Sequence, residues 1–329
     1  MSIFSPIRTR VAVLRGGPSE EYDVSLETGK QILSLIKEFP DKYEPTDIFI
    51  SKNGEWHASG VVNDPHKVLK DIDVVFNALH GKYGEDGKVQ QILQSLQIPF
   101  TGSSSLSSSL AMNKHLSKEV FIKEGLLTPR HLVLGVEDVT NEKISHIYRN
   151  FMHPVIVKPS SSKSSVGVNV VFGIKELRHA ISEAFMKSKK IIVEEFVRGK
   201  VATCTVIDKA RGEKLYTLIP VEIKNPKNSA FLTNNLKSEN ENEELCPGTF
   251  SKAENKEIER MSKVAHRGLG LRHYSQSDFI VTNNGKVYIL ESNSQPSFVN
   301  LSPQALSASG WQSKDFIDHV LTLALNNRD

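Results

Sequence analysis

The chain has 329 residues, 41 of them Lys or Arg against 38 Asp or Glu, and 39% are hydrophobic. Such a length exceeds one simple core and points to two or three domains, and the apolar content excludes a disordered chain. The net charge of +3 gives no argument for nucleic acid, no segment has the length of a membrane span, and Cys204 and Cys246 have neither metal nor redox spacing, so they read as free thiols in a reducing compartment.

Nothing before Arg15 is apolar for long enough to read as a signal peptide, which predicts a cytoplasmic protein. Residues 11–14 are apolar and closed by Arg15, Gly16 and Gly17, the pattern of a buried strand ending in a tight turn. A helix is expected over 25–36, with Leu26, Ile32, Leu33 and Ile36 on its apolar side. Strands follow over 47–50 and 73–79, the second running into His80 and Gly81, and then a helix over 88–96. Strands alternating with helices predict a parallel sheet whose functional loops lie at the carboxyl ends of its strands, where the Gly16 and His80 loops fall.

Residues 103–109 are small and polar and read as an interdomain joint, followed by a helix over 110–124 and a return to extended chain at Pro129. Strands over 154–158 and 166–172, with a polar loop between them, read as a hairpin; a helix over 175–187 and a strand over 191–196 complete a small mixed domain. The remainder reads as another α+β unit. It has strands over 202–207 and 215–223, a long polar stretch over 224–244 that is either a flexible loop or a lid, and a helix over 253–269. A hairpin of 277–281 and 286–290 turns at Asn284-Gly285, and a helix over 313–325 closes the chain.

Three groups of residues carry candidate chemistry. Asp278 lies on one hairpin strand and Glu291 just past the other, with Asn293 beyond it. Two carboxylates and an amide oxygen are hard donors suited to magnesium held between phosphates, although acids are also common at solvated strand ends. Lys158 is followed by Ser160, Ser161, Ser162, Lys163, Ser164, Ser165 and Gly167, a run that suits phosphate capping or an ordinary surface loop and lacks Walker spacing. His80, backed by Gly84-Glu85-Asp86-Gly87, suits a substrate carboxylate or a packed histidine. Glu21 suits an ammonium, or a helix N-terminus that favours an acid.

The runs VAVLRGGPSEEYDVSLETG, FNALHGKYGEDGKVQQILQSLQIPFTGSSSLSSSLAMNKHLSKEVF, HPVIVKPSSSKSSVGVNVV, IIVEEFVRG, LCPGTFS and YSQSDFIVTNNGKVYILESNSQP resemble, in this order, the D-alanine–D-alanine ligases of the ATP-grasp superfamily. The resemblance covers nearly the whole chain. It implies α/β and α+β architecture: a Rossmann-like N-terminal domain over 1–105 followed by a two-part ATP-grasp fold, central over 106–196 and C-terminal over 197–329. It also implies an ATP-dependent carboxylate–amine ligase. One D-alanine is activated as an acyl phosphate, the amine of a second attacks it, and the dipeptide enters peptidoglycan precursors.

By the resemblance, Lys114 and Lys158 match lysines that contact phosphates, and Ser165 lies in the phosphate loop. Glu194 matches the acid that reads the adenine amino group, with Phe196 and Val197 beside the base. Asp278, Glu291 and Asn293 match the ligands of two magnesium ions, with manganese as a substitute. Glu21 matches the acid near the first substrate's ammonium and His80 the histidine near its carboxylate; Ser164 and Ser302 match serines linking loop and substrate. The implied partners are small molecules, D-amino acids, with no nucleic acid and no membrane; a homodimer is allowed.

The departures from the family pattern cluster around acyl transfer. Gln276 stands where the family has an Arg that stabilises the tetrahedral intermediate, and a neutral amide supplies no fixed positive fork. Ser297 replaces a Gly whose N–H serves the oxyanion, within Pro296-Ser297-Phe298-Val299, and Lys163 replaces the Gly before the paired serines. The ribose-binding acid falls at Val201, or at Glu195 by a slip in register. The lid signature is absent, with Lys237 as the candidate for its lysine. A ligase with altered substrates and a degenerate ATP-binding relative both fit these changes; the retained Asp278, Glu291 and Asn293 favour the enzyme.

Overall fold

The computed structural model describes residues 8–161, 167–224, 243–296 and 303–326. Among them the strands form three sheets. The first has the order Val61–Asn63, Trp56–Ala58, Tyr43–Ile50, Thr9–Gly16, Val74–Asn77. Thr9–Gly16 pairs in parallel with both of its neighbours. Its residues 11–14 are wholly buried because both faces are covered. Val11 and Val13 pack towards Ile32 and Ile36 of the helix Tyr22–Ile36, and Ala12 and Leu14 towards Val89 and Leu93 of the helix Lys88–Ser95. Gly16 ends the strand at φ +89, where an added Cβ would lie 2.3 Å from the Ile50 carbonyl oxygen, so the turn needs glycine.

The second sheet is antiparallel, in the order His131–Gly135, Lys190–Glu195, Val155–Pro159, Asn169–Val171. The third follows the path Glu243–Leu245, Val221–Lys224, Lys200–Asp208, Tyr274–Val281, Val287–Asn293, with Leu215–Thr217 paired to Lys200–Asp208. Lys224 and Glu243 are ladder partners, so the polar stretch leaves and re-enters the sheet at adjacent positions; residues 225–242 of it lie outside the described residues.

Some expectations need correcting. The helix expected over 110–124 is two helices, Ser105–Met112 and Lys114–Lys123. Asn113 interrupts them with ψ 99, and its side chain accepts from the backbone N–H groups of His115 and Leu116. The joint expected over 103–109 is therefore short: Ser104 already caps the first helix by accepting from Ser107 N. The single strand expected over 215–223 is split in two around Pro220, whose ring cannot donate to the ladder. The strand His131–Gly135 and the helix Asn141–Asn150 add elements to the second sheet's layer.

The core binds distant parts of the sequence together. Phe316, Val320, Leu321 and Ala324 of the helix Ser313–Asn326 share one cluster with Val11, Val13, Ile32, Ile36 and Val74. Phe121 and Leu126 share another with Ile258, Met261, Phe279 and Ile289. The hairpin Tyr274–Asn293 is fastened to the first sheet at both ends. Before it, Gly102 N donates to His273 Nδ1 at 3.0 Å and Arg272 N to Ser103 Oγ at 3.2 Å. After it, Gln295 Nε2 donates to the carbonyls of Asn77 and Leu79 at 2.7 and 2.9 Å, while Asn77 Nδ2 donates to Gln295 Oε1 at 2.8 Å. Among the described residues no helix is long and apolar enough to cross a membrane.

His273 is 1% exposed, and burial followed by the neighbouring Arg272 lowers its pKa to about 3. The folded state keeps the ring neutral while the unfolded chain protonates near pH 6.5, so stability is full above 6.5 and falls as the pH drops towards 3. His273→Asn keeps an acceptor for Gly102 but cannot titrate. The variant should lose on the order of 2 kcal/mol less than wild type between pH 7 and 4.5, read by urea unfolding at both pH values. Equal losses would show that this histidine is not a source of the acid sensitivity.

Candidate active site

The hairpin Tyr274–Val281 and Val287–Asn293 carries a β-bulge. Phe279 pairs with Ile289, but the next pair is Asp278 with Glu291, leaving Leu290 as the extra residue. Directly opposed residues of an antiparallel pair share a face. The bulge therefore sets Asp278 beside Glu291, and Gln276 beside Asn293, on one face of the sheet. Two carboxylates facing each other repel, and here an ammonium answers them: Lys114 Nζ bonds Glu291 Oε2. Two carboxylates and an amide oxygen on one face are a donor set that fits a hard divalent cation.

Lys114 reaches this face because the helix restarts at Asn113. Lys114 N donates to Ser160 O at 2.9 Å and Ser160 Oγ to Asn113 Oδ1 at 3.0 Å, which ties the start of the helix to the end of the strand Val155–Pro159. One turn along the helix stands Lys118, 0% exposed. Glu194 lies between Lys118, at 3.0 Å, and Lys158, at 2.6 Å, with 2% of its own surface exposed. Burial alone would raise the Glu194 pKa, but Lys118 and Lys158 outweigh it and hold the carboxyl at about 2. Burial lowers Lys118 to about 8 despite Glu194, and Lys158 and Lys114 add to that push. Lys118 Nζ also donates to Thr128 Oγ1 at 2.7 Å, and Thr128 Oγ1 donates to Ile289 O at 2.9 Å, beside the bulge.

Across the cleft, the loop after Gly16 meets the His80 loop through Ser19 Oγ, which donates to His80 O at 2.7 Å. Glu21 flanks the helix Tyr22–Ile36 at its N-cap and lies against Gly81, whose added Cβ would sit 3.3 Å from Glu21 Oε2. The His80 ring is buried, with Nδ1 3.1 Å from Glu85 Oε1 and Nε2 3.0 Å from Thr28 Oγ1. Glu85, Met112, Lys114, Glu291 and Asn293 line one cleft, so the His80 loop and the acidic face open onto the same space.

The structure thus brings Lys114, Asp278, Glu291, Asn293 and Gln276 together, sets Lys158 against Glu194, and groups Glu21 with His80. Gln276 is 7% exposed. Glu195 Oε1 accepts from Arg130 N at 2.8 Å, and Phe196 and Val197 follow it, half-buried, past the strand end. Ser164, Ser165, Lys237, Ser297 and Ser302 lie outside the described residues, as do Lys163 and Val299. The sequence reading missed Lys118, Thr128 and Gln295. Lys118 had a legible signal, standing four residues after Lys114 on one helix face. Thr128 and Gln295 had none, since their partners are distant in sequence.

Glu194→Gln should test the buried cluster. It leaves two ammoniums without their anion and should cost about 3–5 kcal/mol at pH 7. Without Glu194 the folded pKa of Lys118 falls further below its unfolded value, so the unfolded state binds more protons and the variant regains stability with rising pH. Denaturant unfolding at pH 7 and 9.5 should show the deficit narrowing; a constant deficit would mean that Glu194 acts by packing alone.

Comparison with known proteins bears on this geometry. The family described as D-ala D-ala ligase C-terminus matches residues 120–322, and D-ala D-ala ligase N-terminus matches 10–67 and 57–103. A D-alanine–D-alanine ligase of Geobacter sulfurreducens is 34% identical over 96% of this chain and 94% of its own. The fold is similar to the D-alanine–D-alanine ligase of Bacillus anthracis solved with ATP, with a TM-score of 0.80 and 28% identity over 98% of both chains. It is also similar to the VanG D-Ala:D-Ser ligase of Enterococcus faecalis, with a TM-score of 0.84 and 25% identity over 96% of this chain and 99% of that one. With a fastened acidic hairpin, buried lysines and these matches along nearly its whole length, the chain belongs to the D-alanine–D-alanine ligase family and has its ATP-grasp fold.

Proposed function

We propose that the chain joins the carboxylate of one D-alanine to the amine of a second D-amino acid at the expense of ATP, making a dipeptide for peptidoglycan precursors. The observation that carries this reading is the face on which Asp278, Glu291 and Asn293 stand beside Lys114 in the cleft shared with Glu85. In this reading the units 1–105, 106–196 and 197–329 each contribute one wall.

Asp278, Glu291 and Asn293 would hold magnesium, which when bound neutralises phosphate oxygens. Lys114 and Lys158 have the remaining charge to steer: each is buried with a carboxylate partner that holds its ammonium in place for an anionic phosphate. Glu194, ionised down to about pH 2, accepts from the adenine amino group, with Phe196 and Val197 against the ring. Glu21 takes the ammonium of the first amino acid. His80 is fixed between Glu85 and Thr28 beside that substrate's carboxylate. Ser164, Ser165, Lys237, Ser297 and Ser302 are assigned to phosphate, lid and acyl contacts on sequence alone.

Phosphate release from ATP should depend on added D-alanine in the presence of magnesium, and Glu291→Gln should lower kcat/KM by roughly a hundredfold or more, about 3 kcal/mol of lost charge stabilisation. ATP binding without any amino-acid-dependent turnover, across D-amino acids, L-amino acids and hydroxy acids, would instead favour a binding protein.

Gln276 favours a second reading within this one, a ligase slow towards D-alanine or built for another acceptor. It stands on the acidic face opposite Asn293 and offers only an amide dipole where the family has a charge. Gln276→Arg should raise single-turnover ligation of D-alanine about ten- to a thousandfold at saturating ATP, with ATP binding little changed. Equal single-turnover rates would show that Gln276 does not limit the reaction.

A further inference from the structure

Outside the cleft, the helix Lys114–Lys123 and the strand His131–Gly135 bring three side chains of metal-ligand type together. His115 and Glu119 are four residues apart and share one helical face. Across from them stands His131, which follows the turn through Thr128 and Pro129 and pairs with Glu194 in the sheet. One ligand atom from each of the three lies within 4.8 Å of the others.

The two imidazoles are prepared in different ways. His131 Nδ1 lies 3.2 Å from the Pro129 carbonyl oxygen, which can only accept, so Nδ1 carries the proton and the lone pair of Nε2 is directed to Glu119, 3.9 Å away. The ring is held: 8% of the side chain is exposed. His115 Nδ1 lies 3.9 Å from the same Glu119 oxygen. It is buried and has no hydrogen-bond partner among the described residues. A buried imidazole nitrogen normally finds a partner. Glu119 is half-exposed and leaves a side open to solvent.

We propose that His115, Glu119 and His131 form a zinc site, with His115 Nδ1, His131 Nε2 and a Glu119 oxygen as protein ligands and water as the fourth. Two imidazole nitrogens and one carboxylate match the borderline character of zinc and suit magnesium poorly, because magnesium prefers oxygen alone. A tetrahedral zinc with bonds of about 2.1 Å sets its donors about 3.4 Å apart. Bringing the two 3.9 Å separations to that value takes about half an ångström, within reach of side-chain rotation. The site clamps the helix that carries Lys114 and Lys118 to the strand that pairs with Glu194, and so braces the buried charge cluster from outside.

The test is zinc binding to the full chain against a competing chromophoric chelator, with magnesium in large excess to cover the acidic face. Wild type should bind one zinc per chain, and its thermal unfolding midpoint should rise when zinc is added. His115→Ala and His131→Gln should each weaken binding by roughly tenfold or more and abolish the thermal shift. Cobalt in place of zinc should give the intense visible bands of four-coordinate cobalt in wild type and lose them in both variants. Unchanged affinity in both variants would overturn the proposal by locating the zinc elsewhere, and so would an absence of zinc binding by wild type at tens of micromolar. His115 lies at the start of its helix, so its variant remains a usable test if His131→Gln folds poorly.

Discussion

One inserted residue in a hairpin governs where this chain can hold charge. The strand Val287–Asn293 has two tasks: its first half must turn Val287 and Ile289 into the core with Phe279, and its second half must turn Glu291 and Asn293 to the face of Asp278. A regular ladder cannot do both, because side chains alternate strictly. Continued without the bulge, the pairing would set Glu291 across from Ser277, and the two acids would point to opposite faces. Leu290 absorbs the extra step. Beyond it the ladder is regular again: Ser277 and Ser292 meet inside, 2.7 Å apart, and Gln276 faces Asn293. The cost of opposing two carboxylates is offset by Lys114, which stands there only because Asn113 ends one helix and caps the next.

The buried lysines extend the same logic. One carboxylate, Glu194, serves two ammoniums, and the cluster is linked through Thr128 to the carbonyl of Ile289, next to the bulge. In a dry site a charge acts over a longer distance than in water, and a charge already paired and fixed needs little rearrangement when an anion arrives. Glu194 with its two lysines and the acidic hairpin are therefore parts of one bonded network, and the fastening of the hairpin by His273 and Gln295 sets that network against the His80 loop.

The alternation of strands and helices, the apolar run 11–14 and the hairpin turning at Asn284-Gly285 were legible because each is a local pattern. Asp278 and Glu291 were legible as chemistry and as neighbours, since the turn between them brings the two strand ends across from each other, but the bulge was not: strict counting back from the turn sets Asp278 opposite Leu290. Asn113 was hidden because an Asn inside an apolar repeat is compatible with one long helix until its cap bonds are seen. The helix Asn141–Asn150 was readable and overlooked, since Thr140 is a capping residue and Ile144 and Ile147 have helical spacing. Gln295 and His273 derive their importance from burial against residues far away in sequence, which periodicity does not encode.

The packing of the helix Ser313–Asn326 onto Val11, Val13 and Val74 bears on how the protein is made. On a ribosome the first sheet emerges early, but the helix that covers one of its faces is translated after almost all the rest. At about 5–20 residues per second, that face waits on the order of ten seconds or longer with only the helix Tyr22–Ile36 against its valines. The nascent chain is therefore exposed to aggregation and to chaperone capture for most of its synthesis. The first sheet becomes fully covered only when the helix Ser313–Asn326 has emerged, so the folding of this part of the chain waits on a segment about 300 residues away from its first strand.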